Sequence, residues 1–427
     1  MSPAETAGYI AALKSRGSRP GLLAVSALAA KMGDPQKKLK AVHIAGTNAK
    51  GSVLAYLSNT LKAAGIKSGC FYSPALKDER DSICVNLRPI SRKDWDAYWD
   101  EVRSAEAELE SEGSLLPTFF EALTVLAFKY FADKGCEIAV IECGMGGAGD
   151  ATNILTDTKV CVLTPVSYDH CQFLGSSLSD IAAQKSGIIK PGAVVVSARQ
   201  AGEVMAVIER TAEEKHCKLM LADEPEKIRY GLTSQSFTLK GHTRLKISLS
   251  GACQPENAAL AVKALEALAG CGYKISEKAV AAGLLATAWY GRFTVLAKNP
   301  YVIADGAHNE AGALALRRSL DTYFPDTKQV LLMGVLRDKE YDKMLKILGE
   351  RAAFLVCITP PSNPRALDAL ELAECGAKYV KNTTAAGSVE EGLEMALLLS
   401  GGKMPVIACG SLSWLQRLRE AAGNPKV

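Results

Sequence analysis

The sequence predicts an α/β protein of two domains. The first has a mostly parallel sheet, helices on both faces and a small antiparallel patch; the second is another α/β unit. Three observations predict this. Short apolar runs alternate with amphipathic stretches, the pattern of strand–helix–strand units. The chain has 427 residues, more than one ordinary core takes. Between about 219 and 250 the texture changes to short, alternating, turn-linked segments.

Taken in order, "AVHIAG" reads as a strand and "KGSVLAYLSNTLKAAG" as a helix closed by Gly65. "IKSGCFY" is the next strand. An extended loop leads to a helix over about 91–111 and another at "TFFEALTVLAFKYFADKG". "EIAVIEC", "TKVCVLTPV" and "GAVVVSAR" are apolar enough to be strands buried on both faces. "IRYGL", "SQSFTLK" and "TRLKISLSG" form the antiparallel patch, and helices follow at 255–269 and 276–286. A second series begins near Arg292, with strands at "YVIADG", "KQVLLMGV", "AFLVCIT", "AKYV" and "PVIACG". Its helices include "NEAGALALRRSLDTYF" and "SVEEGLEMALLLS". "KNP" interrupts the pattern, so the domains are expected at 1–293 and 301–427 with a linker at 294–300. Ligands bind at domain interfaces and at the carboxyl ends of parallel strands, so an active site between the two domains is expected.

Composition narrows the function. A net charge of +4 with no block of like charges gives no case for nucleic acid, and the locally basic "KMGDPQKKLKAVH" reads as a solvated face. No run of 18 apolar residues is present to span a membrane, and the first residues lack the apolar core of a signal peptide. The 12 cysteines are scattered without a C-x-x-C pair, and several lie in apolar strands. Reduced thiols in a cytoplasmic protein are expected, not zinc or disulfides.

"VHIAGTNAKGSV" runs from strand through a tight turn into a helix. Gly46 and Gly51 permit close backbone approach, Lys50 suits phosphate oxygens and Ser52 suits a magnesium ion. The pattern G-x-x-x-x-G-K-[ST] is not met, because Ile44 stands six before Lys50. The residues alone leave open an ordinary Gly-containing turn. "IAVIECGMGGAGDATNIL" places Glu142 at a strand end before a Gly-rich loop holding Asp150 and Asn153; an Asx-capped turn is the alternative. Asp169, His170 and Lys185 follow in the next strand–helix segment, where a hydrogen-bonded structural His and a surface Lys are the alternatives. Ser73 precedes Pro74 as a turn residue would, and Glu121 is either a cleft carboxylate or a helix cap. Gln254 and Asn257, three apart, share one side at the start of a helix, where capping also accounts for them. Arg292 offers paired hydrogen bonds to phosphate, and Asp305 stands after a strand where it can accept ribose hydroxyls. His308 lies just before a helix, where a carboxylate ligand is favoured.

"HIAGTNAKGSV" resembles the phosphate loop of the Mur ligase superfamily, and of the folylpolyglutamate synthases within it, which carry G-T-N-G-K-G-S. The similarity continues in order almost to the C-terminus. "ECGMGGAGDATN" resembles E-x-G-x-G-G-R-L-D-A-T-N, "DHCQFLG…IAAQKSGIIKPG" resembles D-H-x-x-x-L-G…I-A-x-E-K-A-G-I-I-K-P-G, and "YSPALKDERDSICVN" resembles S-P-H-L…E-R-I-x-I-N. "GACQPENAALA" resembles G-x-H-Q-x-x-N-A-x-x-A, "WYGRF…DGAHN" resembles W-x-G-R…D-G-A-H-N, and "CGSL" is shared outright. Departures are Ala49, Ala75, Ala148 with Gly149, Gln184 and Cys253. The resemblance implies an N-terminal P-loop-type domain and a C-terminal Rossmann-like glutamate-ligase domain.

It also implies roles. Gly46, Thr47, Asn48, Lys50, Gly51, Ser52, Asn257, Arg292 and Asp305 would hold ATP. Ser52, Ser73, Glu142, His170 and Lys185 would hold Mg²⁺ at two sites, Lys185 as a carbamate formed with CO₂. His308 and Ser411 would hold glutamate. Lys50, Lys185, Asp150 and His308 would serve catalysis. The implied activity is folylpolyglutamate synthase, with dihydrofolate synthase as a second activity that the resemblance does not separate. The substrates would be a folate or dihydropteroate, L-glutamate and ATP, and the protein a monomer. ATP would convert a carboxylate to an acyl phosphate, glutamate's amine would displace phosphate, and domain closure would exclude water. Another Mur-type acid–amino acid ligase and a catalytically silent ATP-binding regulator are the alternatives.

Overall fold

In the computed structural model, residues 1–75, 77–242 and 244–423 are described. Leu76 of the Ser73 loop and Thr243, first residue of the third patch segment, lie outside them. The chain divides into two compact units. One is Met1–Glu224 with Glu256–Leu284, the other Pro225–Pro255 with Leu285–Val427.

The first unit is built on eight strands: β1 (Lys40–Ala45), β2 (Ser68–Phe71), β3 (Ile83–Val85), β4 (Arg88–Pro89), β5 (Ile138–Glu142), β6 (Asp157–Leu163), β7 (Val194–Ser197) and β8 (Lys218–Leu221). Their order is β4-β3-β2-β5-β1-β6-β7-β8. The six from β2 to β8 in that order are parallel, while β3 and β4 pair antiparallel at one edge. Consecutive residues of β1 from Ala41 onward, and all of β5, are buried, so both faces are covered. This is why these strands read as unbroken apolar runs. Phe71, Ala139 and Ile141 pack with Leu13, Leu28, Trp99 and Phe131, drawn from the helices Pro3–Ser15, Leu23–Lys31, Arg92–Ser111 and Phe119–Asp133. Farther along the sheet, Cys161, Leu163 and Val195 pack with Ala182 and Ile208, from Leu178–Ser186 and Gly202–Glu214.

The second unit carries the patch of β9 (Glu226–Arg229), β10 (Gln235–Thr238) and β11 (Leu245–Ile247), antiparallel in the order β11-β10-β9. Its larger sheet holds β12 (Thr294–Lys298), β13 (Tyr301–Ala304), β14 (Gln329–Met333), β15 (Ala352–Ile358), β16 (Thr383–Ala386) and β17 (Val406–Cys409). The order is β12-β13-β17-β14-β15-β16, parallel except for β12.

Four details differ from the sequence reading. Residues 294–300, expected as a linker, form β12 and its turn into β13. That strand pairs antiparallel at the sheet edge, where an interrupted apolar pattern is tolerated. The patch belongs to the second unit. Leu232 packs on its core, Gly251 N donates to Tyr323 OH at 3.2 Å, and Ala252 N donates to Ser319 Oγ at 3.0 Å. Leu219, expected to open the patch, lies in β8 of the parallel sheet. "AKYV" is not a strand but the tail of helix Ala369–Gly376. Tyr379 N and Val380 N both donate to Gly376 O at 2.9 Å, and Val380 is apolar because it plugs the core; the strand is β16.

Among the described residues, eight helices lie where the sequence pattern places none: Pro3–Ser15, Leu23–Lys31, Cys171–Leu174, Leu178–Ser186, Gly202–Glu214, Tyr341–Gly349, Ala369–Gly376 and Leu415–Ala421. All twelve cysteines are free thiols. Among the described residues no helix is long and apolar enough to cross a membrane.

Candidate active site

Strands β2, β5, β1 and β6 lie side by side and parallel, so their carboxyl ends meet one edge of the sheet. Neighbouring strands are about 4.8 Å apart. The four loops leaving that edge carry Ser73, Glu142 to Asp150, Gly46 to Ala49, and Thr164 to His170. The sheet topology thus gathers residues far apart in sequence.

The loop after β1 is a strained turn into the helix Lys50–Ala63. Gly46 has φ 152°, and a Cβ there would lie 1.8 Å from Thr164 Oγ1, so only glycine fits. Ala49, the N-cap residue, has φ 70° and ψ −11°, and no side chain caps the helix. That backbone conformation costs a residue with a Cβ about 1–2 kcal/mol, which glycine avoids. Ala49→Gly is therefore expected to stabilise this unit by about 1 kcal/mol, raising its melting temperature by about 2–4 °C. An unchanged or lower melting temperature would count against strain at Ala49.

Two ammonium groups meet on this loop. Lys50 Nζ donates to Gly46 O and Thr47 O, both at 3.1 Å. Lys185 Nζ, 4% exposed as a residue, donates to the same Gly46 carbonyl at 2.9 Å. Burial, reinforced by the charge of Lys50, pushes the Lys185 pKa down to about 7. Asp169 and Asp150 pull it upward more weakly.

Glu142 is buried at the end of β5, where it pairs in register with Ile44. Asp150 is turned into its own loop. Its Oδ2 accepts from Met145 N at 2.8 Å, and its Oδ1 accepts from Thr152 N at 3.0 Å and Thr152 Oγ1 at 2.5 Å. These three bonds brace the Gly-rich loop. Asn153 Nδ2 closes the other side of the loop on Ala148 O at 3.0 Å. Gly147 is required, since a Cβ there would lie 2.6 Å from Gln184 O, at the end of the helix that presents Lys185.

His170 has φ 52° and precedes the short helix Cys171–Leu174, with Nε2 3.8 Å from Asp169 Oδ1. Glu121 resolves as a cap: its Oε2 accepts from Thr118 N and Thr118 Oγ1, both at 2.7 Å. Among the described residues no three His, Cys, Asp or Glu side chains gather to hold a metal. A cation at this edge would draw on Glu142 and His170, with serine hydroxyls, a carbamate at Lys185 and ligand oxygens. Such a donor set fits Mg²⁺ carried on a polyphosphate better than a dedicated protein cage.

Beneath the loops, His43 is fully buried on β1, with Nε2 2.8 Å from Thr152 Oγ1 and 3.1 Å from Cys143 Sγ. Burial, with the nearby Lys190 charge, pushes its pKa down to about 3 from 6.5. An unfolded chain therefore binds this proton through a pH range in which the folded one does not. Stability from this group is complete above about pH 6.5 and falls with pH toward 3, by up to about 1.4 kcal/mol per pH unit. A His43→Gln variant should lose melting temperature less steeply between pH 6.5 and 4 than the parent. Equal slopes would acquit His43.

In the second unit, β13, β17 and β14 are adjacent, and Asp305, His308 and Ser411 follow the first two. Asp305 Oδ2 accepts from Phe293 N at 2.8 Å and Oδ1 from Ala307 N at 2.9 Å, leaving each oxygen a further lone pair. Burial raises its pKa, and the Arg292 charge opposes that. Arg292 Nη1 donates to Gly291 O at 3.1 Å and packs over Gly306, where a Cβ would lie 2.4 Å from that nitrogen. His308 Nδ1 lies 2.7 Å from Gly306 O. A carbonyl only accepts, so Nδ1 carries a proton in this contact. Asn309 caps the helix Glu310–Tyr323. Ser411 is buried, and its Oγ accepts from Ser413 N at 3.2 Å. Gln254 and Asn257 are both buried in the first turn of helix Gln254–Gly270, which from Glu256 onward belongs to the first unit.

Residues 291–412 match the Mur ligase glutamate ligase domain, and residues 101–265 the Mur ligase middle domain. The dihydrofolate synthase/folylpolyglutamate synthase of Bacillus subtilis is 32% identical over 95% of this chain and 95% of that protein. The folylpolyglutamate synthase of Lacticaseibacillus casei is 28% identical over 98% of each. The structure of Mycobacterium tuberculosis folylpolyglutamate synthase complexed with ADP and AMPPCP superposes with a TM-score of 0.91 at 30% identity, covering 99% of this chain and 100% of that one.

The chain belongs to the folylpolyglutamate synthase/dihydrofolate synthase family.

Its departures from the family pattern now have places. Ala49 sits in the left-handed conformation that the family's glycine suits. Ala148 lies against the turn at Gly187, where a Cβ would stand 2.4 Å from the Ala148 Cβ. Gln184 acts there through its carbonyl, which accepts from Ala148 N at 2.7 Å and does not depend on its side chain. Gly149 O accepts from Gly21 N at 3.0 Å. Cys253 is half-buried in the turn before helix Gln254–Gly270. Thr164 and Gln200, absent from the sequence reading, belong to the site's scaffold, and a threonine or glutamine just past a strand carries no sequence signal of that kind.

Proposed function

We propose that this protein is an ATP- and Mg²⁺-dependent ligase that adds L-glutamate to a folate through an acyl phosphate. Dihydropteroate is proposed as a second acid substrate. The observation that carries this within the family is the meeting of Lys50 and Lys185 on the Gly46 carbonyl, at a helix N-terminus without a side-chain cap.

That arrangement suits a polyphosphate. The first amides of helix Lys50–Ala63 aim at an anion, and Lys50 can exchange its two loop carbonyls for phosphate oxygens. Thr47, Asn48 and Gly51 shape the cradle. The Lys185 amine, with its pKa near 7, is neutral often enough at neutral pH to add CO₂, giving a carbamate anion in place of a buried cation. Ser52, Ser73, Glu142, His170 and the carbamate would hold Mg²⁺, which would supply charge neutralisation for the transferred phosphoryl group. Asp150 orders the Gly-rich loop that backs this edge.

Arg292 suits a phosphate, Asp305 ribose hydroxyls, and Asn257 the nucleotide. His308 and Ser411 suit glutamate: His308 stands just before the N-terminus of helix Glu310–Tyr323, where a carboxylate is favoured, and both side chains can hydrogen-bond it. We place the enzyme in the cytoplasm, which its twelve free thiols support.

The test is ADP release with ATP, Mg²⁺, glutamate and either tetrahydrofolate or dihydropteroate. Release that needs the pterin and the glutamate together is expected. Silence with both pterins from folded protein would overturn the assignment.

A further inference from the structure

The phosphate loop does not hold its shape alone; the loop after β6 is sewn to it. Thr164 Oγ1 donates to Asn48 O at 2.6 Å, from the space that Gly46 leaves by lacking a Cβ. Thr47 N and Asn48 N donate to Pro165 O at 2.9 and 3.4 Å. Thr47 Oγ1 donates to Ser167 O at 2.9 Å and accepts from Ser167 N at 3.0 Å. A strained residue such as Ala49 persists only where its surroundings over-determine it, and these bonds are that surrounding.

The loop after β6 needs support in turn, because its ladder with β7 ends at the pair Leu163 and Ser197. Gln200 takes over from the strand. Its Oε1 accepts from Val166 N at 3.0 Å, and its Nε2 donates to Thr164 O at 3.1 Å. One side-chain amide thus satisfies both backbone groups that flank Pro165, and Nε2 also lies 3.4 Å from Ser197 Oγ. The same loop continues to Asp169 and His170.

We propose that Gln200 and Thr164 are positioning residues for nucleotide binding. Gln200 holds loop 164–170 in place, and from there Thr164 and Pro165 set the phosphate loop. The proposal rests on the assignment of Gly46 to Ser52 to the phosphates of ATP. Neither side chain need touch the nucleotide: a shift of about 1 Å in a cradle of aimed amides is enough to weaken it severely.

The test compares full-length Thr164→Val, Thr164→Ser, Gln200→Leu and Lys50→Ala. AMPPCP affinity is measured by calorimetry, KM for ATP and for glutamate by ADP release, and melting without ligand. Thr164→Val and Gln200→Leu should each weaken AMPPCP and raise KM for ATP about tenfold or more while KM for glutamate holds. Thr164→Ser, which keeps the hydroxyl, should stay within about threefold of the parent. Native AMPPCP affinity in Thr164→Val and Gln200→Leu, with affinity lost in Lys50→Ala, overturns the proposal. So does an equal rise in both KM values with a fall in melting temperature, the mark of general destabilisation. Native affinity in Lys50→Ala overturns the phosphate-loop assignment instead. If Thr164→Val fails to fold, the half-buried Gln200 still decides the matter.

Discussion

Lys50→Ala should abolish turnover, a loss in kcat on the order of 10³-fold or more, while the folded state barely notices. The size follows from the role. Removing one aimed donor from a developing oxyanion costs about 10²–10³ in rate, and Lys50 carries a full charge toward phosphates bearing several. The small effect on stability follows from geometry. The substitution forfeits only two hydrogen bonds, to Gly46 O and Thr47 O, each worth about 1 kcal/mol net. Melting temperature is expected to move by no more than a few degrees. Steady-state ADP release and a thermal melt, run on the same preparation, check both halves. Near-normal turnover would remove Lys50 from phosphate binding.

The second large effect is expected at Lys185. Lys185→Ala should lower activity about 10²-fold or more, and added formate or acetate should recover part of it. An ammonium in this place would repel a metal, whereas a carbamate, or a small carboxylate in the space left by the truncation, supplies an anion. Stability should hold or rise, since the variant no longer buries an amine whose charged form is disfavoured enough to bring its pKa to about 7. A ¹³C-labelled bicarbonate spectrum should show a carbamate signal in the parent that is absent in the variant. No carbamate signal in the parent, or no recovery with either carboxylate, would count against the modification.

The phosphate loop shows how far sequence can be read. Strand, turn and helix around "VHIAGTNAKGSV" were legible because an apolar run, two glycines and a helical period are local signals. The left-handed backbone at Ala49 was not, since alanine gives no sign of a positive φ. Asp150 is a similar case. Its position after a Gly-rich loop suggests a catalytic role, but its three hydrogen bonds that brace the loop are visible only in the fold. Glu121 was ambiguous by sequence, and its bonds to Thr118 decide for a cap.

What the sequence by itself determined is the α/β class and most strand and helix positions; it offered Lys50, Glu142, Lys185, Arg292, Asp305 and His308 as candidates by residue type and family resemblance. The class and the positions follow from short-range patterns, because periodicity and turn chemistry act over a few residues. Tertiary structure decided the rest. It assigned the patch to the second unit and made β12 a strand, since both depend on partners distant in sequence. It brought Lys185 to the Gly46 carbonyl across 139 positions of chain, and with that contact came the burial that lowers its pKa. It also set Thr164 and Gln200 behind the phosphate loop. Burial and hydrogen-bond partners are properties of the folded environment, and no single residue's identity carries them.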